Sequence, residues 1–175
     1  MSMSRLIRRL VAATVLLWVS AGLAQAPITP STEMQVLGTS TDVVAYVDAA
    51  QSEILLSAYM LRVHGIAEAL RRAVVERGVQ AFILTTPAGL NEGASYGKSL
   101  ALTGANVRSG HANAELLIVD RYYVVNGPLI GAQGMPEGMD PTFAFTGSDY
   151  ANTLVAIFIE QFNAGTPFDP NEVAR

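Results

Sequence analysis

Three polar side chains recur at the spacing N-x-E-x4-D in the stretch GHANAELLIVDRYYVVNGPLI, residues 110–130: Asn113, Glu115 and Asp120. His111 stands two residues before Asn113, on the same face if a strand begins early, so a shifted pair His111-x-Asn113 is the alternative frame. The plainer reading of His111 is a solvated loop histidine after Gly110. The second histidine, His64, is expected in a loop or capping role at the entry to a helix, and neither histidine shows a spacing that would hold a metal with Glu115. Gly97-Lys98-Ser99 lacks the glycine that a phosphate loop requires five residues earlier, where Glu92 stands, so Lys98 reads as a surface residue. Tyr122 and Tyr123 are adjacent, which on a strand sends one ring inward and one outward. Met135 and Met139 could offer an apolar contact surface in a Gly/Pro-rich loop. No cofactor or metal is expected.

The elements that must position these residues follow from periodicity. Residues 114–119 are an apolar run but for Glu115, and 122–125 are β-branched and aromatic, which predicts a buried hairpin turning at Asp120-Arg121. Upstream, Ser40 or Thr41 is expected to cap a helix carrying Val43, Val44, Val47 and Ala50, and a strand is expected over 53–59. Ile66, Ala69, Leu70, Ala73 and Val74 make one stripe of a helix over 65–77, with Glu68–Arg72 and Arg72–Glu76 as outward i,i+4 pairs. Gly78 ends that helix and a strand follows over 79–85, so the order β-α-β implies a parallel pair. A loop is expected over 86–93, a helix over 94–103, and a short strand over 106–108. Residues 127–141 form an irregular loop and 142–146 another strand. Ser148 or Asp149 then caps a last helix with Ala151, Leu154, Val155, Phe158 and Phe162 on its core face, ending near Gly165.

Composition bounds the partners. Arg5, Arg8 and Arg9 precede an apolar run, and Gly22-Leu23-Ala24 offers the small residues of a cleavage site, so residues 1–24 read as a signal peptide cut after Ala24. An uncleaved membrane anchor is the alternative, but the run over 10–24 is shorter than the roughly 20 residues of a spanning helix. Export to the periplasm or beyond is the expectation. Residues 25–39 read as a linker, 40–165 as one domain and 166–175 as a tail. Cleavage leaves 8 of the 11 basic residues against 15 acidic ones, a net charge of −7, with Lys98 the only lysine. A phosphate backbone needs clustered Lys and Arg, so nucleic acid is an unlikely partner. The absence of cysteine removes disulfide and thiol chemistry.

The frame N-x-E-x4-D resembles the H-x-K-x4-D motif of the phospholipase D superfamily, which is followed by a hydrophobic strand and a Gly-Ser-x-Asn turn. SEILLSAYMLRVHGIAEALRRAVVERGVQAFIL resembles that family's first strand, helix and second strand, and TGANVR its lead into the motif. The resemblance spans residues 41–163 and is nearest to the single-motif, secreted bacterial type. It implies an α/β domain with the phospholipase D-like mixed sheet flanked by helices. It also implies a homodimer, or a heterodimer with an intact family member, that brings two motifs together.

The family's chemistry asks for a histidine nucleophile, lysines and the Ser and Asn of the turn. Here Asn113 replaces the His, Glu115 the Lys, Pro128 the Ser and Ile130 the Asn, and only Asp120 is kept. An amide nitrogen has a delocalised lone pair and neither attacks phosphorus nor shuttles protons. A carboxylate about 4 Å from a phosphate opposes it by about 4 kcal/mol at an effective dielectric of about 20. No catalytic residue is therefore expected, and the chain reads as a pseudoenzyme, a binding or structural module. The alternatives are a phosphodiesterase of phospholipase or endonuclease type with a divergent site, and a non-catalytic partner subunit. A phospholipid or another envelope component fits the expected location.

Overall fold

The computed structural model describes residues 33–131 and 140–169. The expected signal peptide with its expected cleavage point, Met135 and Met139 lie outside the described residues, as do residues 170–175 of the expected tail. Among the described residues no helix is long and apolar enough to cross a membrane.

The centre of the fold is strand β2 (Glu53–Ala58), parallel to β3 (Gln80–Thr85) on one side and antiparallel to β5 (Leu116–Val119) on the other. Helix α2 (His64–Arg77) makes the crossover from β2 to β3, and Gly78 closes it at φ 70°. Strand β4 (Asn106–Ser109) continues the parallel set beyond β3. On the other flank β6 (Tyr123–Asn126) and β7 (Thr142–Thr146) follow β5 as antiparallel neighbours. All four residues of β5 are buried, because the sheet is covered on both faces. One face packs Ile54, Leu56, Leu117 and Val125 against α1 (Ser40–Ala49) and α2. The other packs Leu55, Leu84, Ile118 and Val124 under Val155, Phe158 and Phe162 of α5 (Ser148–Ala164). The result is a single α/β unit with an eight-stranded mixed sheet flanked by helices, as expected.

Several local expectations need correction. The segment 25–39 is not all linker, because β1 (Met34–Leu37) pairs antiparallel with β7 at one edge of the sheet. At the other edge β8 (Thr166–Pro167) pairs with β4, inside the expected tail. Both are short edge strands defined by distant partners, so their own sequence carries little periodicity. The cap of α1 is Thr39, one residue earlier than expected, and Asp42 accepts from the Gly38 and Thr39 N–H groups at 3.0 and 2.9 Å. Those bonds hold the Asp42 carboxyl below its usual range.

The expected loop after β3 contains a short helix α3 (Pro87–Asn91), whose Thr86 cap accepts from Gly89 N–H at 2.9 Å with proline at the first turn. The helix expected over 94–103 is the shorter α4 (Gly97–Leu102), with Lys98 exposed. On α2 the ion pairs differ from the i,i+4 expectation. Arg71 bonds Glu68 and Glu76, and Arg72 reaches across to Asp48 of α1.

Candidate functional site

Antiparallel pairing decides where the motif residues go. Ser57 of β2 faces Leu116 of β5 and Ile54 faces Val119, so the start of β5 lies beside the end of β2 and its end beside the start. Glu115 and Asp120 therefore stand at opposite ends of β5, some ~16 Å apart along the strand direction. They do not form one constellation.

Asp120 is a structural clamp. Its Oδ1 accepts from Ser52 N–H (2.8 Å), Ser52 Oγ–H (2.7 Å) and Glu53 N–H (3.0 Å), and its Oδ2 from Gln51 N–H (2.8 Å). Burial alone would raise this carboxyl, but the hydrogen bonds from Glu53, Ser52 and Gln51 outweigh it and hold it below its ordinary range. Asp120 and Arg121 both take positive φ, 51° and 53°, and Tyr122 N–H donates to Val119 O at 3.0 Å. This is the mirror-image turn that suits a hairpin's twist. Arg121 is held there by Glu53, Nε to Oε1 at 2.5 Å. Tyr122 is exposed while Tyr123 packs edge-on against Tyr46, as the alternation predicts.

Glu115 sits at the other end, in the wall of an open cleft of about 1300 Å³ beyond the C-terminal end of β2. Its Oε1 accepts from Tyr59 N–H at 3.1 Å, while its Oε2 is buried without a hydrogen-bond partner. Burial pushes the carboxyl up to about 7, opposed only by the Tyr59 bond. The carboxylate fits because residue 131 is glycine: a Cβ there would stand 2.8 Å from both Glu115 oxygens.

Of the other motif positions, Pro128 lines the cleft, opening the 3-10 turn Pro128–Ile130. Ile130 does not reach it. Its side chain is fully buried in the core, and the next residue, Gly131, is what faces Glu115. Asn113 and His111 are exposed in the loop ahead of β5 and line no part of the cleft. His64 opens α2, and its Nδ1 lies 3.2 Å from the hydroxyl of Tyr96, which does line the cleft. Among the described residues no three His, Asp or Glu side chains gather as a metal-holding group.

Sequence reasoning missed most of the wall: Tyr59, Met60, Arg62, Tyr96, Phe143 and Asp140. Tyr59 was the findable one, since it directly follows a central strand, where open α/β sheets place ligands. Phe143 arrives only because β7 pairs with β6, putting it opposite Asn126. Arg62, the cleft's one basic lining residue among those described, is ion-paired with Glu92. A second groove, about 480 Å³, lies on the α5 face over Phe82, Phe158 and Phe162. Its cations are already engaged, Arg108 by the carbonyls of Phe162, Asn163 and Gly165, and Arg121 by Glu53.

No protein-family model matches the sequence, and no curated protein does. Solved structures do match its fold. Nuc from Salmonella typhimurium, described as a phospholipase D family member, superposes with a TM-score of 0.68 at 22% identity, over 79% of this chain and 99% of that one. NucT from Helicobacter pylori gives 0.65 at 12% identity, over the same 79% and 99%. The polyphosphate kinase of Porphyromonas gingivalis gives 0.59 at 16% identity over 86% of this chain but 29% of its own.

Proposed function

We propose that this chain, which has the phospholipase D-like fold, is an exported binding module that does not cleave phosphodiesters. One observation carries the reading. Where the family's phosphate-holding lysine is expected, the cleft presents the Glu115 carboxylate, desolvated and bonded to a single backbone N–H. A phosphate entering there meets no positive charge: Glu115 is anionic above about pH 7 and neutral below it, and the cleft's arginine is already neutralised by Glu92. The nucleophile is missing as well, because Asn113 is an amide, exposed and not among the residues lining the cleft. Export is supported by the arginines and apolar run of residues 1–24.

The test is turnover. Purified mature protein is expected to leave bis-p-nitrophenyl phosphate and plasmid DNA intact. Hydrolysis that co-purifies with the protein and is abolished by Glu115→Ala would overturn the reading.

A further inference from the structure

The cleft has the build of a small-molecule site, with an apolar wall, few polar groups and one of them unsatisfied. Tyr59, about half exposed, stands with Tyr96 and Phe143 among its lining side chains, and Met60 and Pro141 add apolar surface. Its charges do not balance. Arg62 is cancelled by Glu92, so Glu115 and Asp140 have no cationic partner among the described residues.

We propose that this cleft receives an organic monocation, an ammonium or guanidinium group on an apolar body, with Glu115 as its counter-charge and the aromatic side chains as its walls. The inference rests on the reading of the cleft as a binding site and adds the class of ligand. Three features support it independently. Glu115 lines the cleft with one backbone N–H as its only hydrogen-bond donor and no cationic partner among the described residues, and a positive charge is what an ammonium or guanidinium brings. Aromatic faces carry negative potential and attract cations, more so when the cation is partly desolvated. Gly131 lets the carboxylate pack against its backbone at the cleft wall, a place from which any side chain would push it. The raised affinity of Glu115 for a proton is the same deficit seen from inside: the site lacks a positive partner. The other ionisable groups facing the cleft are Tyr59, Arg62 with its partner Glu92, Asp140, and Tyr96 with His64 behind it. Among these, Arg62 and His64 are the basic ones, and each is already engaged.

Calorimetric titration of the mature protein with phenethylammonium chloride, phenyl phosphate and 2-phenylethanol tests this. Phenethylammonium is expected to bind, 2-phenylethanol more weakly by about tenfold or more, and phenyl phosphate not measurably. Glu115→Gln keeps the shape and removes the charge, and should cost about tenfold or more in phenethylammonium affinity. Gly131→Ala suits the local backbone (φ −98°) yet drives a methyl into the carboxylate, and should weaken binding similarly. Circular dichroism and Tm identify any variant that has lost its fold, in which case the isosteric Glu115→Gln decides. Binding of phenyl phosphate as tight as the ammonium, unchanged affinity in folded Glu115→Gln, or displacement of phenethylammonium by stoichiometric calcium chloride would each overturn the proposal. Failure here leaves the absence of hydrolysis standing. Hydrolysis of a phosphodiester would remove the functional reading whatever this titration gives.

Discussion

Asp120 reaches Ser52 twice, through the backbone N–H at 2.8 Å and the hydroxyl at 2.7 Å, and so ties the β5–β6 turn to the entry of β2. Asp120 thus works in folding, at the far end of β5 from the cleft. Asp120→Ala should destabilise the protein by about 2–3 kcal/mol, because three backbone donors and a hydroxyl lose a charged acceptor. Its carboxyl is depressed in the folded state, so its contribution is present above the ordinary value of 3.8 and fades as pH falls through the lower, folded value. Urea denaturation of wild type and variant at pH 7 and in the acid range checks both statements.

Glu115 runs the other way. Its folded pKa of about 7 exceeds the ordinary 4.5, so the folded state binds the extra proton between those values. Its contribution is complete below pH 4.5 and is lost as pH rises through about 7. The loss is of the order of 3 kcal/mol. Glu115→Gln should flatten this part of the stability profile and leave the variant more stable than wild type at pH 8. Equal pH slopes for the two proteins would refute it.

Giving positions 113 and 115 the His and Lys of the phospholipase D motif should not confer phosphodiesterase activity. Asn113→His places an imidazole on an exposed loop position outside the cleft. Glu115→Lys leaves Pro128 and Gly131 without a side-chain donor for phosphate oxygens. A covalent phosphohistidine trapped in the double variant would show that the loop can deliver residue 113 to the cleft.

A homodimer that faces cleft to cleft across a two-fold axis would bring two Glu115 carboxyls toward each other. Two such charges coexist only if one takes a proton or a cation bridges them. Dimer affinity in sedimentation equilibrium should then rise as pH falls below 7, rise on adding a divalent cation at neutral pH, and be raised by Glu115→Gln. A strict monomer, or a dimer indifferent to all three, would place the interface elsewhere or remove it.

The parts of this architecture that were legible in the sequence are those whose periodicity is long and locally complete. Helix α2 showed its stripe and its glycine stop, and the β5–β6 hairpin showed two apolar runs around Asp120-Arg121. Strand β1 was not legible: Met34 and Val36 are exposed, and the strand exists because it lies along β7, with Met34 opposite Phe145. Helix α3 has a usable signal in Thr86-Pro87, a cap followed by proline, inside a stretch whose composition predicts a loop. At the site, Glu115 stood out by type and spacing. Its neighbours did not, because Tyr59, Tyr96 and Phe143 come from three separate segments that only the folded sheet assembles. Ile130 was assigned by counting along a turn, and the 3-10 geometry of Pro128–Ile130 rotates it into the core and presents Gly131 instead.

The two edge ladders also decide how this domain would bear a mechanical load. Strands β1 and β8 are the outermost of eight, so the described chain enters and leaves the fold at opposite sheet edges. Those edges are about 30 Å apart at the usual strand spacing. Tension drawn through the two ends reaches the four-residue β1–β7 ladder and the two-residue β4–β8 ladder before it reaches β2, β3 or β5. Under force the edges would peel first, and the cleft at the end of β2, seated mid-sheet, would hold its shape until they had gone.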